Sequence, residues 1–201
     1  MEPNTSGEGL SFSVNDQIRP LAMLLFVRTA WGLAQDLDLP ALDPAPDTGA
    51  SALPAGTPRS VWEARWRQLW LDAWVANASG GFTVPGLRME LPRGANAELE
   101  DGAPVPGSWS VAFGEHGIDV PAFQAWDRQL DQMRGVLPSE IREPRFMQAI
   151  GNGLSEFIVL PLAGYYVHRL GENRMVLSWQ TLHDLSLRRR AIDQWLSGAG
   201  R

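Results

Sequence analysis

The sequence contains no cysteine and no lysine, because all 17 basic residues among its 201 positions are arginine. Without a thiol, disulfide scaffolds, iron–sulfur clusters, cysteine-ligated zinc and thiol catalysis are excluded. Without a lysine amine, Schiff-base catalysis, a P-loop and a lysine general base are excluded as well. A lysine-free chain rich in Ala, Gly, Pro and Arg is typical of codon usage in a high-GC genome, so we expect a bacterial source.

Histidine occurs three times, as His116, His168 and His183. No H-E-x-x-H or other closely spaced histidine pair is present, and a zinc site needs three or four converging ligands. We therefore expect no metal site. The neighbours His183 and Asp184 do not form a dyad by themselves, since adjacent strand residues point to opposite faces. We expect Asp184 to cap a helix instead.

The motifs of common enzyme classes are also missing. The sequence has no G-x-S-x-G nucleophile elbow and no G-x-G-x-x-G fingerprint. Gly151-Asn152-Gly153 resembles a glycine-rich turn, but it precedes a strand-like run rather than following one, which is the wrong context for a phosphate cradle. We predict no catalytic residue and no cofactor, and we favour a protein that is not an enzyme.

Acidic residues outnumber basic ones by 23 to 17, which gives a net charge of −6. A dedicated nucleic-acid binder usually carries a basic excess, so a nucleic-acid partner is not expected. The apolar run 21–27 ends at Arg28, whereas a membrane span needs about 20 apolar residues. The first four residues lack the basic region of a secretory signal. We expect a cytoplasmic protein with no membrane partner.

Hydrophobic periodicity predicts an α+β fold in a single domain over 1–201. A helical N-terminal and central part is followed by a small antiparallel sheet, containing a C-terminal β-hairpin, and by a C-terminal helix. The predicted helices cover about 17–37, 59–78, 120–135, 138–150 and 185–198. Two alternating runs, 87–91 and 109–113, predict short strands. A turn at 171–173 would place Leu170 opposite Arg174, Val167 opposite Leu177 and Tyr165 opposite Trp179.

Five prolines lie within residues 38–58, among Ala, Gly, Ser, Thr and Asp. Proline cannot continue a helix, and the segment has little apolar surface to stabilise an ordered conformation. We expect a flexible loop and favour disorder, with a lid over a binding site as the alternative.

Four tryptophans recur every fourth residue on the helix predicted after that loop: Trp62, Trp66, Trp70 and Trp74. A four-residue step drifts by about 40° around a helix, so the indoles cover about 120° of its circumference. The stripe is either a core face or a partly exposed interface, since tryptophan is enriched in binding hot spots. The sequence leaves both interpretations open.

Three consecutive arginines, 188–190, begin the last helix near the positive end of its dipole. A bound anion or an acidic partner would explain them. Spread around the helix, they would equally pair with surface carboxylates such as Asp184 and Asp193, which is the interpretation we favour.

Two functional hypotheses follow. The first is a non-catalytic intracellular interaction protein of accessory, immunity or assembly type, which binds another protein. The second is a small enzyme or ligand-binding protein with a pocket between the tryptophan helix and the hairpin, where His168 or His183 would act with a carboxylate. Six residues are the predicted binding residues: Trp62, Trp66, Trp70, Tyr166, His168 and Arg169.

Overall fold

The structure, a computed structural model, describes residues 12–15, 19–75, 82–86, 90–91, 109–133 and 143–198. The helices within these ranges are α1 Arg19–Trp31, α2 Arg59–Val75, α3 Trp109–Phe113, α4 Val120–Met133, α5 Pro144–Gly151, α6 Trp179–His183 and α7 Leu185–Gly198. The strands are β1 Ser13–Asn15, β2 Phe82–Thr83, β3 Glu90–Leu91, β4 Glu156–Leu160, β5 Val167–Leu170 and β6 Arg174–Ser178. None of these helices is long and apolar enough to cross a membrane.

The described elements confirm a mixed α+β class but correct the predicted sheet. The main sheet has the strand order β1-β4-β6-β5, in which β1, β4 and β6 are parallel and β5 runs antiparallel to β6. Strand β4 is central, and its residues from Phe157 to Leu160 are buried on both faces. A continuous apolar run of this kind is typical of a parallel strand covered on both sides. The sheet is therefore mixed rather than antiparallel.

The hairpin has the predicted register but is shorter than predicted. Leu170 pairs with Arg174 and Val167 with Leu177. The predicted pair of Tyr165 with Trp179 is wrong, because α6 begins at Trp179. The preceding Ser178 caps that helix by accepting the backbone N–H of Thr181 at 3.1 Å.

Two further secondary-structure predictions change. The run 109–113 forms α3 rather than a strand. Helix α1 ends at Trp31, six residues before the predicted end, because Gly32 and Ala34 have φ angles of +62° and +49°. By contrast, α7 begins as predicted, since Asp184 Oδ1 accepts the backbone N–H of Leu187 at 3.0 Å.

The proline-rich segment 38–58, which we call the strap, runs along α4 and the segment preceding it. The Trp126 Nε1–H donates to the Pro44 carbonyl at 2.7 Å. The backbone N–H of Ala50 donates to the Asp119 carboxylate at 2.9 Å. These contacts hold the strap against α4. Whether the strap is flexible, as the sequence suggests, stays a prediction about its motion.

The buried side chains form two clusters. The first gathers α1, α2, α3 and α4 around the tryptophans, together with the strap residue Leu42. The second lies between the sheet and the helices α5, α6 and α7. We call them the tryptophan cluster and the sheet cluster.

Candidate binding surfaces

The predicted tryptophan stripe lies in the core of this chain. Trp66 and Trp70 are 0% exposed and stack with their ring centroids 5.2 Å apart. The Trp66 Nε1–H donates to the Leu24 carbonyl at 2.7 Å, and the Trp70 Nε1–H donates to the Pro85 carbonyl at 2.9 Å. Backbone carbonyls thus occupy both indole donors. Of the two interpretations left open by the sequence, the burial agrees with the core.

Trp62 closes the same stripe near the surface. It is 7% exposed and packs edge-to-face against Trp31 at 5.2 Å. The Arg65 guanidinium lies over the Trp62 ring at 4.7 Å. The Trp62 ring is therefore covered on two sides by its own chain, and its role in binding stays a prediction.

A concave pocket of about 350 Å³ lies between α1, α3 and α4. The pocket expected between α2 and the hairpin stays a prediction. Its floor is apolar and consists of Met23, Trp109 and Phe123, all of them buried. Four polar side chains line it as well: Arg19, Ser110, Glu115 and Gln124. Sequence analysis missed this site because its residues lie about 100 positions apart and because the 109–113 alternation predicts a strand.

An ion pair anchors one side of the pocket. Arg19 Nη2 lies 3.1 Å from Asp127 Oδ2, with the arginine side chain 72% exposed and the aspartate side chain 6% exposed. A buried carboxylate thus positions an exposed guanidinium. That guanidinium has five N–H donors, so it can contact a ligand while it stays paired.

The three predicted hairpin residues do not form one surface. Tyr166 is half-buried, its backbone N–H donates to Thr181 Oγ1 at 3.0 Å, and burial raises the pKa of its phenol well above the ordinary value. His168 is half-buried opposite Val176. Arg169 faces the opposite side of β5, because successive strand residues alternate. Of the three, Arg169 belongs to the surface described next.

A second surface forms where β5 and the residues preceding it meet α7, and we call it the arginine–aromatic face. Its members are Tyr165, Arg169, Arg190, Gln194 and Trp195. The Arg190 guanidinium lies 4.3 Å from the Tyr165 ring centroid, and the Arg169 guanidinium lies 4.1 Å from the Trp195 centroid. The Tyr165 hydroxyl donates to Gln194 Oε1 at 3.0 Å. Partial burial raises the pKa of Tyr165 above its ordinary value of 10, so the hydroxyl, already protonated at neutral pH, also stays protonated in mild alkali.

The three consecutive arginines have three different environments. Arg188 is buried and donates to the Leu182 carbonyl at 2.6 Å. Arg189 forms two hydrogen bonds to the Glu143 carboxylate, at 2.9 and 3.3 Å. Arg190 lies over Tyr165. Pairing with a surface carboxylate, which we favoured for these arginines, is seen for Arg189 with Glu143. Hydrogen bonds from Ser186 and Leu187, and to a smaller extent the charge of Arg188, lower the pKa of Asp184.

The remaining histidine candidate, His183, stacks on Trp179 with 5.0 Å between ring centroids. Burial, with a smaller effect of Arg188, lowers the pKa of His183. The adjacent Asp184 carboxylate accepts the backbone N–H groups of Ser186 and Leu187, so its oxygen is turned toward α7. Among the described residues, no group of three or more His, Cys, Asp or Glu side chains is placed to hold a metal ion.

Comparison of the chain with protein-family models, with curated proteins and with solved structures gave no match. A functional assignment therefore has to come from the two surfaces themselves.

Proposed function

We propose that this chain is a non-catalytic cytoplasmic interaction protein that holds a large apolar side chain of a partner protein in the pocket between α1, α3 and α4. The pocket itself supports this proposal. Its volume of about 350 Å³ lies within the range of small binding sites, which combine an apolar lining with a few polar groups.

The pocket floor is already fixed by the tryptophan cluster. Trp109 packs edge-to-face on Trp31 at 5.3 Å, and Phe123 packs edge-to-face on Phe26 at 5.4 Å. Because these rings are held by buried neighbours, binding does not have to immobilise them. A preformed floor of this kind lowers the entropic cost of association.

The surroundings of the pocket favour a protein over a small molecule as its occupant. On α3, directly after the lining residues Trp109 and Ser110, Val111 is 62% exposed. This short helix thus presents an exposed apolar side chain in addition to the pocket, and only a partner larger than the pocket would cover both. Charged and polar side chains, including Arg19 and Glu115, also line the pocket. An apolar centre bordered by polar groups is the usual arrangement of a protein–protein hot spot.

A substitution that fills the pocket tests this function. Gln124 lines the pocket and is exposed, so Gln124→Trp should occupy it without disturbing the core. Gln129→Trp is the matched control, because Gln129 is also an exposed glutamine of α4 but does not line the pocket. Quantitative affinity capture from the native extract should lose its stoichiometric partner with the first variant and keep it with the second.

Equal capture by both variants would contradict the proposal. The alternative, a small enzyme or ligand-binding protein, is favoured by the same cavity volume and by the guanidinium, carboxylate, amide and hydroxyl groups lining it. It would be supported if no protein were captured and a metabolite raised the melting temperature of the wild type and of Gln129→Trp, but not that of Gln124→Trp.

A further inference from the structure

We propose that the arginine–aromatic face binds an acidic segment of a partner protein, at a site separate from the pocket. Arg169 and Arg190 both lie in it, on adjacent elements, and within the described part of the chain neither has a carboxylate at salt-bridge distance. Several other described arginines are paired with a carboxylate, among them Arg19 with Asp127, Arg174 with Glu156 and Arg189 with Glu143. Within the described residues, two guanidinium groups without a carboxylate partner thus lie on adjacent elements of a chain whose net charge is −6.

Both guanidinium groups are held in place by ring contacts. A planar guanidinium stacked on a ring keeps its N–H edge free for a carboxylate, which it binds through two parallel hydrogen bonds. Arg190 is exposed, and Arg169 uses its Nε–H on the Gly171 carbonyl at 3.2 Å. Within the described residues the terminal nitrogens of this half-buried arginine donate no hydrogen bond, although Nη1 lies against Gly198 of α7, where an added Cβ would approach it to 3.1 Å.

The hydrogen bond between Tyr165 and Gln194 joins the two elements that carry the arginines. The spacing along each element also brings these side chains together. Tyr165, which precedes β5, and Arg169 on β5 are four residues apart in extended chain and point to the same side. Arg190 and Gln194 are four residues apart on α7 and lie on the same helix face. Arg65 also lies over aromatic rings, on α2. A single stacked arginine is therefore not distinctive, and the pairing of two across neighbouring elements is what defines this site.

Charge complementarity selects an acidic protein segment as the occupant. Nucleic-acid binding relies on many phosphate contacts and is opposed by a net negative protein. Two guanidinium groups suit two carboxylates of a short Asp- or Glu-containing stretch instead. This inference uses none of the pocket residues, so either site can fail while the other stands.

The test measures binding of three fluorescein-labelled probes to the full chain by fluorescence polarisation at low salt. The probes are a ten-residue peptide alternating Glu and Gly, its Gln–Gly counterpart, and a single-stranded oligonucleotide of ten thymidines. We expect the Glu peptide to bind best and its affinity to fall with added salt. Arg190→Gln should weaken its binding about tenfold, the usual scale for losing one charged hydrogen-bonding partner.

Arg128→Gln is the matched control, because Arg128 is an exposed arginine of α4 that likewise has no carboxylate partner among the described residues. It removes the same charge and should change the affinity less than twofold. Arg190→Lys, which keeps the charge but not the planar group, should fall between the two.

Three results would overturn the inference: no detectable binding of the Glu peptide, equal losses in Arg190→Gln and Arg128→Gln, or preference for the oligonucleotide. Circular dichroism of each variant shows whether it is folded. Should Arg190→Gln be unfolded, Arg169→Gln replaces it with the same expected loss.

Discussion

The two aromatic regions of this chain differ in what covers their rings. In the tryptophan cluster, Trp66 and Trp70 are enclosed by other apolar side chains, and backbone carbonyls accept their indole N–H groups. On the arginine–aromatic face, a guanidinium group lies over each of Tyr165 and Trp195, and Trp195 is otherwise buried in the sheet cluster. The first arrangement stabilises the fold, whereas the second leaves charged groups in contact with solvent.

The comparison shows that the most regular aromatic pattern in the sequence is not where the candidate binding groups lie. The stripe on α2 is the most regular pattern in the sequence, and it lies inside the molecule. The rings of the arginine–aromatic face, Tyr165 and Trp195, follow no visible periodicity, yet they hold two arginines in place. Regular spacing therefore indicates burial here, and the candidate binding groups come from isolated residues that the fold brings together.

The largest expected effect is the loss of a central indole. Trp66→Ala should lower the free energy of unfolding by about 3–5 kcal/mol, because a fully buried ring leaves a cavity. Urea denaturation followed by circular dichroism measures this change. Trp66→Phe keeps an aromatic ring and should cost about half as much. A loss below about 1 kcal/mol for Trp66→Ala would contradict its place in the core.

The strap provides the next test. Gly49 has a φ of +54°, and a Cβ there would lie too close to the Asp119 carboxylate. Gly49→Ala should therefore lower the free energy of unfolding by about 2 kcal/mol. Gly56→Ala, also at positive φ but with no atom near its Cβ, should cost about half as much. If neither substitution changes the stability, the strap is flexible, as the sequence predicted.

A smaller effect is expected on the arginine–aromatic face. Tyr165→Ala should lower the free energy of unfolding by about 1 kcal/mol, because the ring is half-buried and loses its contact with Arg190. Tyr165→Phe keeps that contact and should be close to the wild type. If Tyr165→Ala cost as much as Trp66→Ala, the distinction between the two regions would fail.

The last expected effect, of about the same size, concerns pH and the cap of α7. Hydrogen bonds from Ser186 and Leu187 hold the pKa of Asp184 below its ordinary value of 3.8. The cap therefore contributes its full stabilisation above that value and loses it as the pH falls through the lower pKa of the folded state. Asp184→Ala should lower the melting temperature by about 2–4 °C at pH 7. Its difference from the wild type should shrink in acid, and a constant difference would contradict the cap.

Local rules recovered much of the secondary structure. The four-residue spacing of tryptophans predicted α2, which spans Arg59–Val75, and Asp184 predicted the start of α7. The hairpin register was predicted because the turn at 171–173 and the side-chain alternation both constrain it. In each case residues close in sequence supply the stabilising interaction.

Other features depended on distant partners. The segment 109–113 alternates like a strand but forms a helix in which Trp109 packs on Trp31, and no local pattern encodes that contact. The parallel pairing of β4 with β6 likewise depends on how the chain returns to the sheet. Sequence analysis predicted neither the pocket nor the arginine–aromatic face as a site. Of the residues in these two sites, only Arg169 was predicted to bind.

The sequence by itself determined the excluded chemistry, the mixed α+β class, the helix on which the tryptophans recur and the register of the hairpin. These follow from residue identity and from spacing along a regular backbone. Only the tertiary structure decided that the tryptophans are buried, that the strap contacts α4 and that Arg169 lies near Trp195. These three contacts depend on which distant surfaces pack together and exclude water. Because the hydrophobic effect is non-directional, no short sequence pattern specifies which segments pack against each other.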